Sequence, residues 1–402
     1  MKIMFAVPSF WPSQDGVAHI TEYLAEGLAS RGHEIFVLTS AGNGGLQVLP
    51  ETEEHAGVKI ERMRIYVQWP LTLKGRDDKS TRKVYREKIR EFQPDVLVVV
   101  CSQTWTLDWI VDELDKIECV KVFYSHGYSR WEKSDRIAEK LKSRNIIGVY
   151  EELKVKWYYT KLYQWIRKFE CAIYLSELNN SYSYAIKYGL TNGMILENAI
   201  EDVFLKKEML HSKEQFYQEK LQFLYVANYN DNKNQDMLLE AFCKSDMQNV
   251  TLHFTGFEEN DYLKMLRQHL KEWLPENSTK KVIFHVHLSR QQIYELYREC
   301  CVFVSTSKSE NCPIVHCEAA ACGMAVVSTN VGDVSLKDGI VLINTEKELK
   351  EALEYLYENR QEAFERGVRL RKYMLSRGCR EIDKIDCLES KLRSLVSKKD
   401  RG

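Results

Sequence analysis

The chain is short of the features that mark several protein classes. Its 402 residues include only 19 glycines and 7 prolines, too few for a fibrous or largely disordered polypeptide. Neither sign of charge dominates, because 57 Lys and Arg stand against 58 Asp and Glu, a formal net charge of −1. That balance removes the strongest argument for a dedicated nucleic-acid binder, which carries a basic surplus. No C-x-x-C pair occurs and the 11 cysteines are an odd number, so neither a zinc ribbon nor a secreted disulfide framework is expected. Most of the cysteines lie in apolar runs and read as buried thiols in a reducing cytosol. Long apolar runs are missing as well. Val96 to Cys101 is among the longest, far below the roughly 20 residues of a membrane-spanning helix. Met1 to Trp11 has only a short apolar stretch that ends at Pro8, so no signal peptide is expected there. The turn after that stretch is Pro8-Ser9-Phe10-Trp11-Pro12 rather than G-x-G-x-x-G, which excludes a nicotinamide dehydrogenase. A soluble protein, or one lying on a membrane surface, is expected.

What is present is a repeated α/β pattern. Lys2 to Val7 reads as a buried strand, a turn-rich loop follows, and Ile20, Leu24 and Leu28 recur at helical spacing up to Gly32. Glu34 to Thr39 is a second strand, so the chain opens as a doubly wound α/β domain. Further strands are expected at 58–62, 96–101, 120–125, 171–175 and 193–196. Residues 201–220 are polar, show no strand period, and read as a linker. The pattern then restarts with strands at 221–227, 250–255, 282–285, 302–305, 325–328 and 340–343. The length fits two domains of about 200 residues each. The expected division is 1–200, 201–220 as linker and 221–379, with a C-terminal helix at about 380–402 packing back on the first domain. Open α/β sheets bind ligands at the carboxyl ends of their strands. Two such domains facing across a cleft would hold two substrates, one on each.

The most informative segment is Ser305 to Val331, STSKSENCPIVHCEAAACGMAVVSTNV. A strand ends in a polar loop, Pro313 sits where a helix begins, and Gly323 ends that helix. The helix start offers free N–H groups and a positive dipole end, which suits a diphosphate. Glu310 falls in the loop and Glu318 inside the helix. A carboxylate on each side of an anion site makes sense if the two accept from hydroxyls. Taken alone, the pair is better explained as an acidic helix start with a solvated Glu, and the full string reverses that preference.

The full string resembles the E-x7-E signature of retaining GT-B glycosyltransferases, family 4 (glycosyl transferases group 1). The family's typical form is S-x-x-E-G-F-P-x-x-x-x-E-A-M-A-C-G-x-P-V-V-A-T. Glu310 and Glu318 match the two acids, Pro313 the proline, and Ala321-Cys322-Gly323 the core, while Asn311-Cys312 replaces the usual Gly-Phe. The resemblance implies a GT-B architecture of two Rossmann-like doubly wound parallel-sheet domains facing across a cleft. It also implies transfer of a sugar from a nucleotide-sugar, UDP-linked in preference to GDP-linked, to a hydroxyl of a glycan or lipid-linked acceptor.

The resemblance carries roles onto single residues. Lys233, at the opening of the second half, matches the phosphate-binding lysine, and Asn228 stands where the family often has Arg. Gly16 matches the first Gly-rich loop, near the donor phosphates or the acceptor, and His19 the acceptor side. His126, in Ser125-His126-Gly127 after a strand, would lie beside acceptor and anomeric carbon. Asn198 would fix the crossover between domains. Gly256 would support the donor, and Val286 and Leu288 fall where the family clamps the nucleobase. Glu310, with Asn311, Cys312, Pro313 and Ile314, would hold the donor sugar, and Glu318 the ribose. His126, Glu310 and Lys233 are the expected catalytic residues. No cofactor is implied. No metal is implied either, because D-x-D occurs nowhere; the helix N-terminus and Lys233 would act in its place. Arg31-Gly32-His33-Glu34 reads as structural, a helix end and strand entry.

Leu153 to Phe169, LKVKWYYTKLYQWIRKF, carries five basic residues, six aromatics and no acid. A helix of that kind can lie in an anionic interface, so peripheral membrane contact through 153–169 is one expectation and a helix packed on the first domain the other. Lys74 to Arg90 is also basic. In bacterial-type surface polysaccharide or glycoconjugate synthesis the acceptor would sit at the cytoplasmic leaflet. The missing Arg at 228 leaves a second function open, a nucleotide-sugar-binding accessory protein with little catalysis of its own.

Overall fold

A computed structural model describes residues 1–401 except 14, 42–48, 66–78, 129–130, 132–135 and 335–336. Two compact units divide the chain: residues 1–198 with 382–402, and residues 199–381.

The first unit is one eight-stranded sheet with helices between its strands. In chain order it runs β1 (Lys2–Ala6), α1 (Gly16–Ser30), β2 (Glu34–Ser40), β3 (Thr52–His55), β4 (Val58–Met63), α2 (Lys79–Phe92), β5 (Val96–Val100), α3 (Trp105–Asp108), β6 (Val120–Tyr124), α4 (Arg136–Lys142), α5 (Ile146–Ile166), β7 (Cys171–Tyr174), α6 (Asn180–Lys187) and β8 (Gly193–Ile195). Strand order is β3-β4-β2-β1-β5-β6-β7-β8. All pairs are parallel except β3 with β4. Helices on both faces explain why β5, Val-Leu-Val-Val-Val, is buried at every position. Strand order reverses between β1 and β5, so the loops after those two strands frame a ligand position.

The aromatics of α5 are where the membrane expectation for 153–169 meets the fold. Tyr158, Tyr159, Leu162, Ile166 and Phe169 are buried in the core of this unit. They therefore do not form an exposed interface, and that half of the segment is a packed helix. The exposed apolar side chains lie earlier: Leu141, Ile146, Ile147, Tyr150, Leu153 and Trp157. Spacing of three and four residues from 146 to 157 sets them along one ridge of α5. Of the basic stretch 74–90, residues 74–78 lie outside the described residues; Arg82, Arg86 and Arg90 pair with Asp112 and Glu113.

The second unit contains α7 (Asp202–Leu205), α8 (Lys213–Phe216), β9 (Leu221–Val226), α9 (Gln235–Lys244), β10 (Val250–Gly256), α10 (Asp261–Trp273), β11 (Lys281–Val286), α11 (Arg290–Glu299), β12 (Val302–Ser305), α12 (Ile314–Cys322), β13 (Ala325–Thr329), β14 (Val341–Ile343), α13 (Glu346–Glu358) and α14 (Arg360–Ser376). Its sheet is all parallel in the order β11-β10-β9-β12-β13-β14. Numbered within the unit this is 3-2-1-4-5-6, the Rossmann order, with its reversal between β9 and β12. Residues 201–220 are not a loose linker. They carry α7 and α8, and Phe204 and Phe216 are fully buried in this unit.

The last helix, α15 (Glu381–Lys399), lies on the first unit. Arg31 reaches Asp386 and Glu389 at 2.5 and 2.6 Å, and His33 Nε2 lies 2.9 Å from Glu389. Gly27 accommodates Ile385, since a Cβ there would come within 2.2 Å of it. The Arg31-Gly32-His33 turn thus ends α1, with Gly32 at φ +82°, and anchors α15. Among the eleven cysteines nine are buried, Cys119 is half-buried and Cys387 exposed, and none is in a disulfide. Among the described residues no helix is long and apolar enough to cross a membrane.

Candidate active site

In the second unit the loops after β9 and β12 meet where strand order reverses. The loops are tied by Lys308 N–H donating to Asn232 O at 2.7 Å and by the Asn232 side-chain Nδ2 donating to Ser309 O at 3.0 Å. Tyr225 on β9 donates to Lys233 O at 2.6 Å, and Thr306 Oγ1 to Asn234 O at 2.8 Å. Asn234 takes the left-handed conformation, φ +53°, that turns this loop into α9. The result brings two of the sequence candidates together: Lys233 Nζ lies 2.5 Å from Glu310 Oε1.

Glu310 opens the loop that ends at Pro313, the N-cap residue of α12, so the helix proper starts at Ile314. Gly323 closes it at φ +76°. Asn311, Cys312, Pro313 and Ile314 therefore stand at the positive end of a nine-residue helix. This loop rests on Gly332 and Asp333. A Cβ at Gly332 would come within 2.6 Å of Asn311 O. Cys312 Sγ donates to Asp333 Oδ2 at 3.2 Å, and Asp333 pairs with buried Lys337 at 3.0 Å.

Glu318 is almost wholly buried, its side chain 3% exposed. Both its oxygens are engaged: Arg290 donates to Oε1 at 2.6 Å and Tyr297 OH to Oε2 at 2.6 Å. Burial works against the Arg290 guanidinium, but Glu318 and Glu201 more than restore its charge and raise its pKa. Neither Arg290 nor Tyr297 belongs to the motif residues read from the sequence. Their only local signal is the Ser289–Gln292 capping box that starts α11.

The other donor-side candidates have structural partners. Asn228 is exposed; its Oδ1 accepts from Phe257 N–H at 3.3 Å and its carbonyl from Gln235 Nε2 at 3.0 Å. Gly256 gives Tyr229 its room, since a Cβ would lie 2.3 Å from that ring. Val286 ends β11 and packs on the core with β10, whereas Leu288 packs on the opposite face with α11 and α12. These two do not share a face. Phe257, exposed beside His287 at a ring distance of 6.0 Å, is a residue the sequence reading did not single out.

In the first unit, Asp15 caps α1, accepting from Val17 N–H and Ala18 N–H at 3.0 and 3.1 Å. Gly16, exposed, and His19 follow on α1. His126 comes after β6, its ring 4.7 Å from that of Tyr124. Burial pushes the His126 pKa down to about 4, and the nearby Asp15 carboxylate only partly offsets this. The imidazole is therefore uncharged at pH 7. Asn198 is buried where the chain leaves the unit. One trio among the described residues has metal-ligand spacing, Glu22, Glu26 and His55. It belongs to α1 and the end of β3, and not to the residues named above.

The chain is thus a two-unit α/β protein with mainly parallel sheets, and its second unit holds the Lys233–Glu310 pair on the loops at a Rossmann switch point. The family model Glycosyl transferases group 1 matches residues 206–374, and the model Glycosyl transferase 4-like domain matches residues 15–144. The chain belongs to the group 1 glycosyltransferases, with the GT-B fold. Sucrose-phosphate synthase from Thermosynechococcus elongatus is similar in fold, with a TM-score of 0.75 at 15% identity over 99% of each chain. So is Anabaena HepE in complex with UDP and glucose, at 0.68 and 17% over 98% of this chain and 100% of that one. The E. coli trehalose-6-phosphate protein bound with UDP-2-fluoro glucose scores 0.69 at 11%, over 98% and 99%. No curated protein sequence matches the chain.

Proposed function

We propose that the protein transfers a sugar from a nucleotide-sugar, UDP-linked in preference to GDP-linked, to a hydroxyl of a glycan or lipid-linked acceptor. The anomeric configuration is retained, no metal is needed, and the product belongs to cell-surface polysaccharide or glycoconjugate synthesis. The observation that carries this reading is the Lys233–Glu310 pair at the start of α12, with Glu318 one turn further on. The UDP preference is supported by the UDP and UDP-sugar held by Anabaena HepE and by the E. coli protein.

In this mechanism Glu310 gives up Lys233 to the diphosphate and accepts from donor-sugar hydroxyls instead. The bond from the anomeric carbon to the phosphate oxygen breaks, and the acceptor oxygen bonds to that carbon on the same face. The acceptor's proton passes to the departing phosphate oxygen, so no protein nucleophile is required. The work of the protein is positioning and charge stabilisation. Lys233 and the N–H groups of α12 take the growing negative charge, and neutral His126 hydrogen-bonds near the reacting centre.

Nucleotide-sugars screened by thermal shift against the wild type and Glu318→Ala test this. One donor at 100 times its Kd should stabilise the wild type by about 2.7 kcal/mol, and the variant should lose most of that shift. Absence of any shift from folded wild type would sink the transferase reading. Binding without turnover would favour the accessory-protein reading, whose support is an uncharged, loop-tied Asn228 where the family often has Arg.

The acceptor reading extends to a peripheral position on the cytoplasmic face of a membrane. Support comes from the exposed ridge of Ile146, Tyr150, Leu153 and Trp157 on α5, with exposed Leu141, Lys142 and Arg144 just before it in the chain and exposed Lys156 on the same helix. Such a face combines apolar insertion with attraction to anionic lipid. Co-sedimentation should be strong with phosphatidylglycerol vesicles and weak with phosphatidylcholine vesicles. Trp157→Glu should reduce it about tenfold or more. Association indifferent to lipid charge would discard the electrostatic part.

A further inference from the structure

Arg290 is not among the motif residues, yet it makes a 2.6 Å contact with Glu318. It opens α11, where a cation works against the helix dipole. Two acids compensate. Its Nη2 donates to Glu318 Oε1 and also to Glu201 Oε1. Its guanidinium lies over the rings of Phe204 and Tyr294, 5.4 and 5.1 Å from their centres. Tyr294 OH holds the other oxygen of Glu201 at 2.7 Å. The Arg290 side chain is 38% exposed and that of Glu318 3%. A ligand hydroxyl approaching Glu318 therefore meets Arg290 first.

We infer that Arg290 is a positioning residue of the donor site, standing in for ribose hydroxyls on Glu318 and yielding to them by withdrawing onto Glu201. The inference rests on the reading that Glu318 receives the ribose of a nucleoside diphosphate. The guanidinium has five N–H donors. On leaving Glu318 it keeps Glu201 and its two rings. Tyr297 OH keeps Glu318 Oε2 fixed while the ribose diol takes Oε1. Glu201 is therefore the group that makes the exchange cheap. Without it, the charged partner left to Arg290 among the described residues is Glu318, which it holds more firmly.

Isothermal titration of the full chain tests this with UDP or GDP, whichever binds the wild type more tightly, and with the 2′,3′-dideoxy form of that nucleotide. The wild type should prefer the ribonucleotide. Glu201→Gln should weaken the ribonucleotide about tenfold and leave the dideoxy form within about twofold, because the latter makes no claim on Glu318. Tyr294→Phe loosens Glu201 without changing charge. It should act in the same sense by about threefold, and it carries the test if Glu201→Gln does not fold. The inference is overturned if Glu201→Gln, or Tyr294→Phe in its place, shifts both nucleotides alike or neither. A wild type that binds neither nucleotide, or does not distinguish them, overturns the ribose reading and this inference with it. Discrimination by the wild type together with inert variants overturns this inference alone.

Discussion

Lys233→Ala should lower sugar transfer by about 10²–10³-fold, with the loss in kcat rather than KM. Charge grows on the diphosphate as the anomeric bond breaks, so a cation there helps the transition state more than the bound donor. Besides the N–H groups of α12, the neighbouring polar side chains on these loops are engaged elsewhere. Asn228 carries no charge and is tied to Phe257 N–H. Lys308, on the neighbouring loop, pairs with Asp231 at 2.6 Å. Ground-state affinity should change much less. Donor binding to the wild type must first separate Lys233 from Glu310 at 2.5 Å, and the variant is spared that step. Initial rates of nucleotide diphosphate release, resolved into kcat and KM, give the answer. An unchanged kcat would take Lys233 out of the chemistry.

Lys337→Met should destabilise the second unit by about 3–5 kcal/mol. Asp333 and Lys337 are each only 6% exposed and lie 3.0 Å apart. Taking away the cation leaves a buried carboxylate whose remaining partner in this network is the weak thiol donor of Cys312 at 3.2 Å. Replacing both, as Asp333→Asn with Lys337→Met, should restore most of the loss, because the penalty belongs to the orphaned charge and not to the absence of a pair. Urea denaturation of the three proteins distinguishes these cases; a single variant as stable as the wild type refutes the argument. The effect also reaches the site. Asp333 supports Cys312, and Gly332 packs under Asn311 O. The single variant should therefore bind donor more weakly even below its unfolding temperature.

How much of this is legible in the sequence depends on how local the signal is. Buried parallel strands such as Val96–Val100 announce themselves as short apolar runs, and α12 by the proline before it and the glycine after it. The meeting of Lys233 with the Glu310 loop can be anticipated because open α/β sheets put both loops at the reversal of strand order. Other features have no local signal. β3, Thr-Glu-Glu-His, is a polar antiparallel edge strand with no apolar alternation. Val203-Phe204-Leu205, Met209-Leu210 and Phe216-Tyr217 are short apolar clusters between charged residues, too irregular for periodicity to separate a buried helix from a linker at 201–220. The same limit applies to α5, where aromatics suit a core and a membrane interface equally and only burial decides. Arg290 and Tyr297 reach Glu318 across 28 and 21 residues of sequence. Their pairing is a product of tertiary structure.

The position of α15 bears on the order in which the molecule is made. The chain leaves the first unit at Asn198 and re-enters it at Ile382. Ile385, Leu388 and Leu392 then fill places in that unit, while Arg31 and His33 find their acidic partners on the same helix. During synthesis all of the second unit emerges before this helix does. The part that begins first is thus finished last, reversing the N-terminal-first order usual for domains built from continuous sequence.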